Sequence, residues 1–301
     1  MNNTAKLITN AMSVDVEDYF QVSAFEAYIA REDWDKLECR VESNTQKILE
    51  LFEQQNIKST FFTLYWVAKR YPELIRAIVD AGHELASHGM EHKRVTQQTP
   101  SQFRTDVTES KKRLEDISGQ TVLGYRAASY SITSETYWAL DILQQAGYQY
   151  SSSIYPIQHD LYGIPEAPRY PYKPFADSDF LEIPISTLQF AERNYPCGGG
   201  GYFRLFPYQL SRWAIQRLNA QQQSAVFYFH PWEIDPDQPR QHQLSVKTRF
   251  RHYLNLSKMQ QRLSQLTTDF QWDTMQNVFL PEVENYQHVD FLSNQAPTLA
   301  A

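Results

Sequence analysis

His88 and His92 stand four apart in Ser87-His88-Gly89-Met90-Glu91-His92, directly after the apolar pair Leu85-Ala86. On a helical turn, imidazoles at i and i+4 point the same way, which is the disposition a zinc-type ion takes from two neutral histidines. The pair alone fits a metal site and an ordinary polar turn equally well. Other unusual polar residues decide whether it has company. Asp15, Glu17 and Asp18 crowd into Asp15-Val16-Glu17-Asp18, Arg126 ends Val122-Leu123-Gly124-Tyr125-Arg126, and His230 follows Ala225-Val226-Phe227-Tyr228-Phe229.

The elements that must position these groups alternate in type. Short apolar runs at 11–16, 59–64, 84–87, 122–126, 148–152, 181–185 and 225–229 read as seven strands, the sixth weakened by Pro184. Between them lie amphipathic segments. Ser43 is expected to cap a helix with Ile48, Leu51 and Phe52 on one face, and Pro72 to open another. Thr99-Pro100 starts a helix that Gly119 ends, and Ser134 starts one that Gly147 ends. A helix after Pro207 should turn Leu210, Trp213, Ala214 and Leu218 inward, and Arg249 to Leu266 reads as one further helix. Strand–helix alternation predicts a parallel sheet, and in such sheets active sites gather beyond the carboxyl ends of the strands. Asp15 to Asp18, His88, Arg126 and His230 all fall at such ends, which favours a shared metal-containing site.

Composition narrows the class. A formal net charge of -7 over 301 residues, with both signs interspersed, offers no basic face for phosphate backbones, so no nucleic-acid partner is expected. Cys39 and Cys197 lack metal or redox spacing and read as free thiols. No apolar stretch approaches the ~20 residues that span a bilayer, and Met1 to Asn10 lacks an export signal, so a cytoplasmic protein, at most near the inner membrane, is expected. The Gly198 to Gly201 run has no Gly-Lys-Ser/Thr after it and reads as a flexible or tight turn, not a phosphate loop.

At the level of motifs the chain resembles the polysaccharide deacetylases, the metal-dependent carbohydrate esterases of the NodB-homology type. Ser13 to Phe20 is similar to their first acidic motif, in the variant form of deacetylases from exosortase-linked exopolysaccharide clusters. Ser87 to His92 resembles their His-x-x-x-His motif, Gly124 to Tyr130 their arginine motif, and Tyr228 to Pro236 their last histidine motif. Gly199 to Arg204 and Arg249 to Asn255 look like the same subgroup's C-terminal region. Two positions depart from the pattern: Ala128 stands where proline is usual, and Ser151 where the subgroup commonly has Asp.

The resemblance implies an α/β fold, an irregular (β/α)7 barrel over about 8–236 with a C-terminal helical extension over about 237–290, all within one domain, and a frayed tail at 291–301. It implies a divalent ion, Zn2+ by preference, held by His88, His92 and one acid of the first motif. If residues 15 to 17 stay extended, Glu17 shares a face with Asp15 and is the ligand; if the strand ends at Val16, Asp18 turns inward instead. Asp15 is the implied general base, oriented by Arg126, and His230 the acid that protonates the leaving amine. A backbone N–H near Tyr130 is the expected oxyanion donor, and Tyr130 and Trp232 the expected borders of an N-acetylated glycan. His83, His159, His242, His252 and His288 are given no chemistry. The alternatives are an amidohydrolase acting on a small cyclic amide and a carbohydrate-binding protein without turnover. A zinc protease is a poor reading, because Gly89 stands where its helix needs Glu.

Overall fold

The computed structural model describes residues 8–159 and 162–290, so the expected frayed tail at 291–301 lies outside the described residues. In chain order the elements are β1 (Thr9–Val16), α1 (Val41–Gln54), β2 (Thr60–Thr63), α2 (Tyr65–Arg70), α3 (Pro72–Asp80), β3 (Glu84–Ser87), α4 (Pro100–Ser118), β4 (Gly124–Tyr125), α5 (Trp138–Gln145), β5 (Tyr150–Ser151), β6 (Leu181–Glu182), β7 (Thr187–Phe190), β8 (Arg193–Pro196), α6 (Gly200–Leu205), α7 (Tyr208–Ala220), β9 (Val226–Phe229), α8 (Val246–Tyr253), α9 (Leu256–Asp269), β10 (Gln271–Asp273) and α10 (Met275–Phe279).

Seven of these strands form one parallel array in the order β9-β1-β2-β3-β4-β5-β6, with β10 added beside the first residues of β1. All seven expected strands are present, and the curled sheet with its helices is the irregular (β/α)7 barrel. Side-chain alternation along β1 shows how it is filled. Met12, Val14 and Val16 join the core beneath the helices with Phe61, Leu85 and Phe229, whereas Ala11 packs on the other face with Phe62, Ala86 and Tyr150. No ladder joins β6 to β9. Connecting chain covers the exposed edge instead, through Val226 N–H to Ser186 Oγ (2.7 Å) and Tyr228 N–H to the Gly198 carbonyl (2.8 Å).

Several helix ends follow local chemistry. Thr99 and Gln102 form a reciprocal capping box at α4, whose last residue precedes Gly119 at φ +67. Others depart from expectation. Ser43 does not cap α1; its hydroxyl donates back to the Arg40 carbonyl. In α7, Ala214 and Leu218 are buried, but Leu210 is 44% and Trp213 52% exposed. The single helix expected over 249–266 is two, α8 and α9, because Asn255 adopts the left-handed conformation (φ 51) between them. The β7–β8 hairpin, α6 and β10 were not anticipated. Gly198 to Gly201 is no flexible turn: a Cβ on Gly198 would lie 2.3 Å from the Val226 carbonyl, so this run is pressed against β9 and leads into α6.

Candidate active site

The carboxyl ends of β1, β3, β4 and β9 meet at one cleft of about 550 Å³, lined among others by Asp15, Glu17, His88, His92, Tyr130, His230 and Trp232. At the end of β1 the chain turns sharply, Glu17 N–H donating to the Asp15 carbonyl (3.0 Å). The strand does end at Val16, yet Glu17 is the acid that turns in. Asp18 turns away: one oxygen accepts Tyr19 N–H (2.8 Å), and the other accepts Arg40 N–H (2.6 Å) and Val41 N–H (2.8 Å). Asp18 therefore caps α1 and is no ligand in this arrangement, since the helix start offers it the orphan amide donors that favour a carboxylate.

Residues 88–92 are a loop, not the helical turn that the spacing suggested. Gly89 has φ +80 and His92 φ +52. The loop is held by Tyr65 N–H to the Gly89 carbonyl (2.9 Å), Trp66 N–H to the Met90 carbonyl (3.0 Å), and Met90 N–H to Asp106 (3.2 Å). A left-handed, non-glycine His92 is strained, and these hydrogen bonds hold it in place. His88 Nδ1 donates to the Arg126 carbonyl (2.7 Å), which leaves its Nε2 lone pair for the cleft.

Glu17, His88 and His92 each present one ligand atom, and these three atoms lie within 4.8 Å of one another. All three residues are buried. Burial pushes His88 down to about 4, so it is neutral at physiological pH. Burial opposes ionisation of Glu17, but the neighbouring His92, His230 and His88 outweigh it and hold the carboxyl at about 2. Glu17 Oε2 lies 2.9 Å from His92 Nε2, yet it has no hydrogen bond of proper geometry. An orphaned buried carboxylate oxygen among imidazole nitrogens is what a divalent cation satisfies, so the donor set fits a metal.

Beside it, Asp15 is held by Arg126. The guanidinium is fully buried and gives Nη1 to Asp15 Oδ1 (2.5 Å) and Ser13 Oγ (2.9 Å), Nη2 to Ser152 Oγ (3.1 Å), and Nε to the Ser152 carbonyl (3.2 Å). It stacks over Phe62 at 4.0 Å. On the far side His230 Nδ1 donates to Glu233 Oε1 (2.8 Å), and Glu233 Oε2 accepts from Arg204 Nε (2.6 Å). His230 Nε2 then faces Glu17 Oε1 at 3.4 Å and Asp15 Oδ2 at 3.9 Å. Burial works against a charged His230, but the Glu233 hydrogen bond and the charges of Glu17, Glu233 and Asp15 prevail and raise it to about 9.

Tyr130 and Trp232 line the cleft but are almost buried, at 5% and 6% exposure. Trp232 stacks on His230 (5.2 Å) and on His252 (4.2 Å). The Tyr130 N–H donates to the Ala127 carbonyl (3.0 Å). Ser129 and Tyr130 are both left-handed (φ 53 and 52), directly after Ala128. Ser151 Oγ donates to Ser153 Oγ (2.8 Å). Glu233 and Arg204, to which the sequence assigns no role, and His252, given no chemistry there, all pack around His230 and Trp232. Glu233 carried the one available signal, an acid three residues after His230 in a Pro-opened turn.

Residues 32–151, which contain His88, His92 and Arg126, match the family described as polysaccharide deacetylase. Over this region the chain is similar to polysaccharide deacetylases. Residues 152–280 match a second family, described as a domain of unknown function (DUF3473). Among curated relatives, a peptidoglycan deacetylase of Helicobacter pylori is 27% identical over 108 residues, covering 36% of this chain and 36% of that protein. A chitooligosaccharide deacetylase of Bradyrhizobium is 28% identical over 99 residues, covering 33% and 43%. These matches thus span less than half of either relative. A polysaccharide-deacetylase-type structure from Mycobacterium smegmatis aligns over 95% of this chain and 94% of its own, with TM-score 0.62 and 18% identity. An allantoinase structure aligns over 90% and 88%, with TM-score 0.56 and 16% identity. Both share the fold of this chain. No described helix is long and apolar enough to cross a membrane.

Proposed function

We propose that the protein is a metal-dependent hydrolase that removes N-acetyl groups from amino sugars of an exopolysaccharide or its precursor. The observation that carries this reading is the convergence of Glu17, His88 and His92 beside an Arg126-held Asp15 and a Glu233-held His230. Because the two matched regions each supply part of this set, we read them as one working unit. The relatives' named substrates, peptidoglycan and chitooligosaccharide, support an N-acetylated glycan as the substrate class.

Glu17, His88 and His92 would hold the ion, Zn2+ by the nitrogen-rich donor set, and such an ion when bound acidifies water and polarises a carbonyl. Asp15, fixed through Oδ1 by Arg126, takes the proton of the attacking water. The water oxygen adds to the acetyl carbon. His230, charged because of Glu233, gives a proton through Nε2 to the departing nitrogen, so that the carbon–nitrogen bond breaks to acetate and a free amine. Tyr130 and Trp232 shape the walls against which the sugar ring lies.

The test is metal content and acetate release from N-acetylated oligosaccharides, for the wild type and His88→Ala side by side. Stoichiometric metal and turnover, both lost in the variant, are expected. Bound metal without acetate release would move the assignment to another amide, with cyclic amides as the next substrates to try, or to glycan binding without turnover.

A further inference from the structure

We propose that the face built by the β7–β8 hairpin, α6, α7 and α8 docks on an anionic membrane surface. This inference goes beyond the hydrolase reading and does not depend on it. Of the nine large hydrophobic residues exposed among the described residues, eight fall between 190 and 250. They include Phe190 (75% exposed) at the hairpin turn, Phe206 after α6, Leu210 and Trp213 on α7, and Val246 (81%) and Phe250 (59%) on α8. Between the hairpin, α6 and α7, Phe190, Phe206, Leu210 and Trp213 border a groove of about 800 Å³.

Charge is uneven along an overlapping segment, which the acids Glu192 and Asp269 flank. Residues 193–268 hold ten Lys/Arg and three Asp/Glu, whereas the rest of the chain holds eighteen Lys/Arg and thirty-two Asp/Glu. A strongly acidic protein thus gathers its positive excess where its apolar residues are exposed. Two of the ten are taken up in ion pairs, Arg204 with Glu233 and Arg212 with Asp269. Arg193, Arg217, Lys247, Arg249 and Arg251 are exposed, with no ion pair among the described residues. The patch is mechanically continuous, because the Arg204 guanidinium donates to the Leu254 carbonyl and Asn255 donates to the Arg204 carbonyl, both at 2.8 Å, tying α6 to the α8–α9 junction. Lys247 and Arg251 also line the mouth of the cleft, so a docked protein would present its site next to the surface.

A protein partner would favour a charge-depleted apolar centre. Outward aromatics mixed with unpaired cations suit an interface between acidic headgroups and acyl chains. The test is co-sedimentation of the full chain with vesicles of phosphatidylcholine alone and of phosphatidylcholine with phosphatidylglycerol, at low and high salt. Binding to the acidic vesicles, weakened by salt, is expected, and it should fall by about tenfold or more in Phe190→Ser/Trp213→Ser and in Arg193→Glu/Arg217→Glu, with unchanged thermal melting. Failure to bind either vesicle, equal binding to both, or binding that the substitutions leave intact would overturn the proposal. So would a concentration-dependent dimer without vesicles that Phe190→Ser/Trp213→Ser abolishes, since that assigns the face to a second copy of the chain.

Discussion

His230 shows what neighbouring carboxylates, Glu233 foremost, do to an imidazole. Its proton is retained to about pH 9 with Glu233 bonded to Nδ1, against 6.5 for the unperturbed group. If the acid form is the working one, turnover is present below that value and lost as pH rises through it. Glu233→Gln should therefore draw the alkaline limb of the kcat profile down toward 6.5, and a limb that stays near 9 would show that Glu233 does not set it. Asp15→Asn separates base from ligand at the same scale. The change keeps volume and leaves Glu17, His88 and His92 untouched, so metal content should persist while kcat falls by about 10²–10⁴. It also leaves the buried Arg126 without its counter-charge, a loss on the order of 3 kcal/mol measurable by urea unfolding.

Elements set these residues by contact with their neighbours, and two positions test it. A Cβ on Gly200, at the start of α6, would lie 2.3 Å from Glu233 Oε1, whereas one on Gly201 meets nothing within 4 Å. Gly200→Ala should cost about 1–3 kcal/mol and disturb the Glu233–His230 pair, with Gly201→Ala as the near-neutral control in thermal melting and turnover. The start of α1 provides the second. Asp18→Ala removes the acceptor of three backbone N–H groups and should destabilise the fold by about 1–2 kcal/mol while leaving metal stoichiometry unchanged. Loss of metal in that variant would return Asp18 to the ligand set.

Across the whole molecule, buried neutral imidazoles tie stability to acid. His83 packs against Phe52 and Phe61, its Nδ1 accepts Ser59 N–H (3.2 Å), and burial pushes it down to about 4. The unfolded chain takes up that proton near 6.5. Stability present above 6.5 is thus lost as pH falls toward 4, by about 2 kcal/mol between pH 7 and pH 5 from this group alone. Buried His252, pushed down to about 3, acts in the same direction. Urea unfolding at the two pH values reads the loss, and an undiminished pH slope in His83→Phe would remove His83 as its source.

Much of this design was legible in one dimension. Apolar runs and their punctuation located seven strands, because strand pairing in a buried parallel sheet demands short β-branched and aromatic segments wherever they fall. The same runs placed Asp15, His88, Arg126 and His230 at strand ends, and parallel strands bring their carboxyl ends to one rim whatever else the chain does. Only the tertiary structure chose between Glu17 and Asp18, since the choice lay with the amides of Arg40 and Val41, more than twenty residues away. It alone brought Arg204 to Glu233 across 29 residues, and His252 under Trp232. It also left Trp213 facing outward from a helix whose spacing reads as inward. Periodicity is a local property of the backbone; which side chain a buried charge meets, and which helix face finds a cover, are settled by segments distant in sequence.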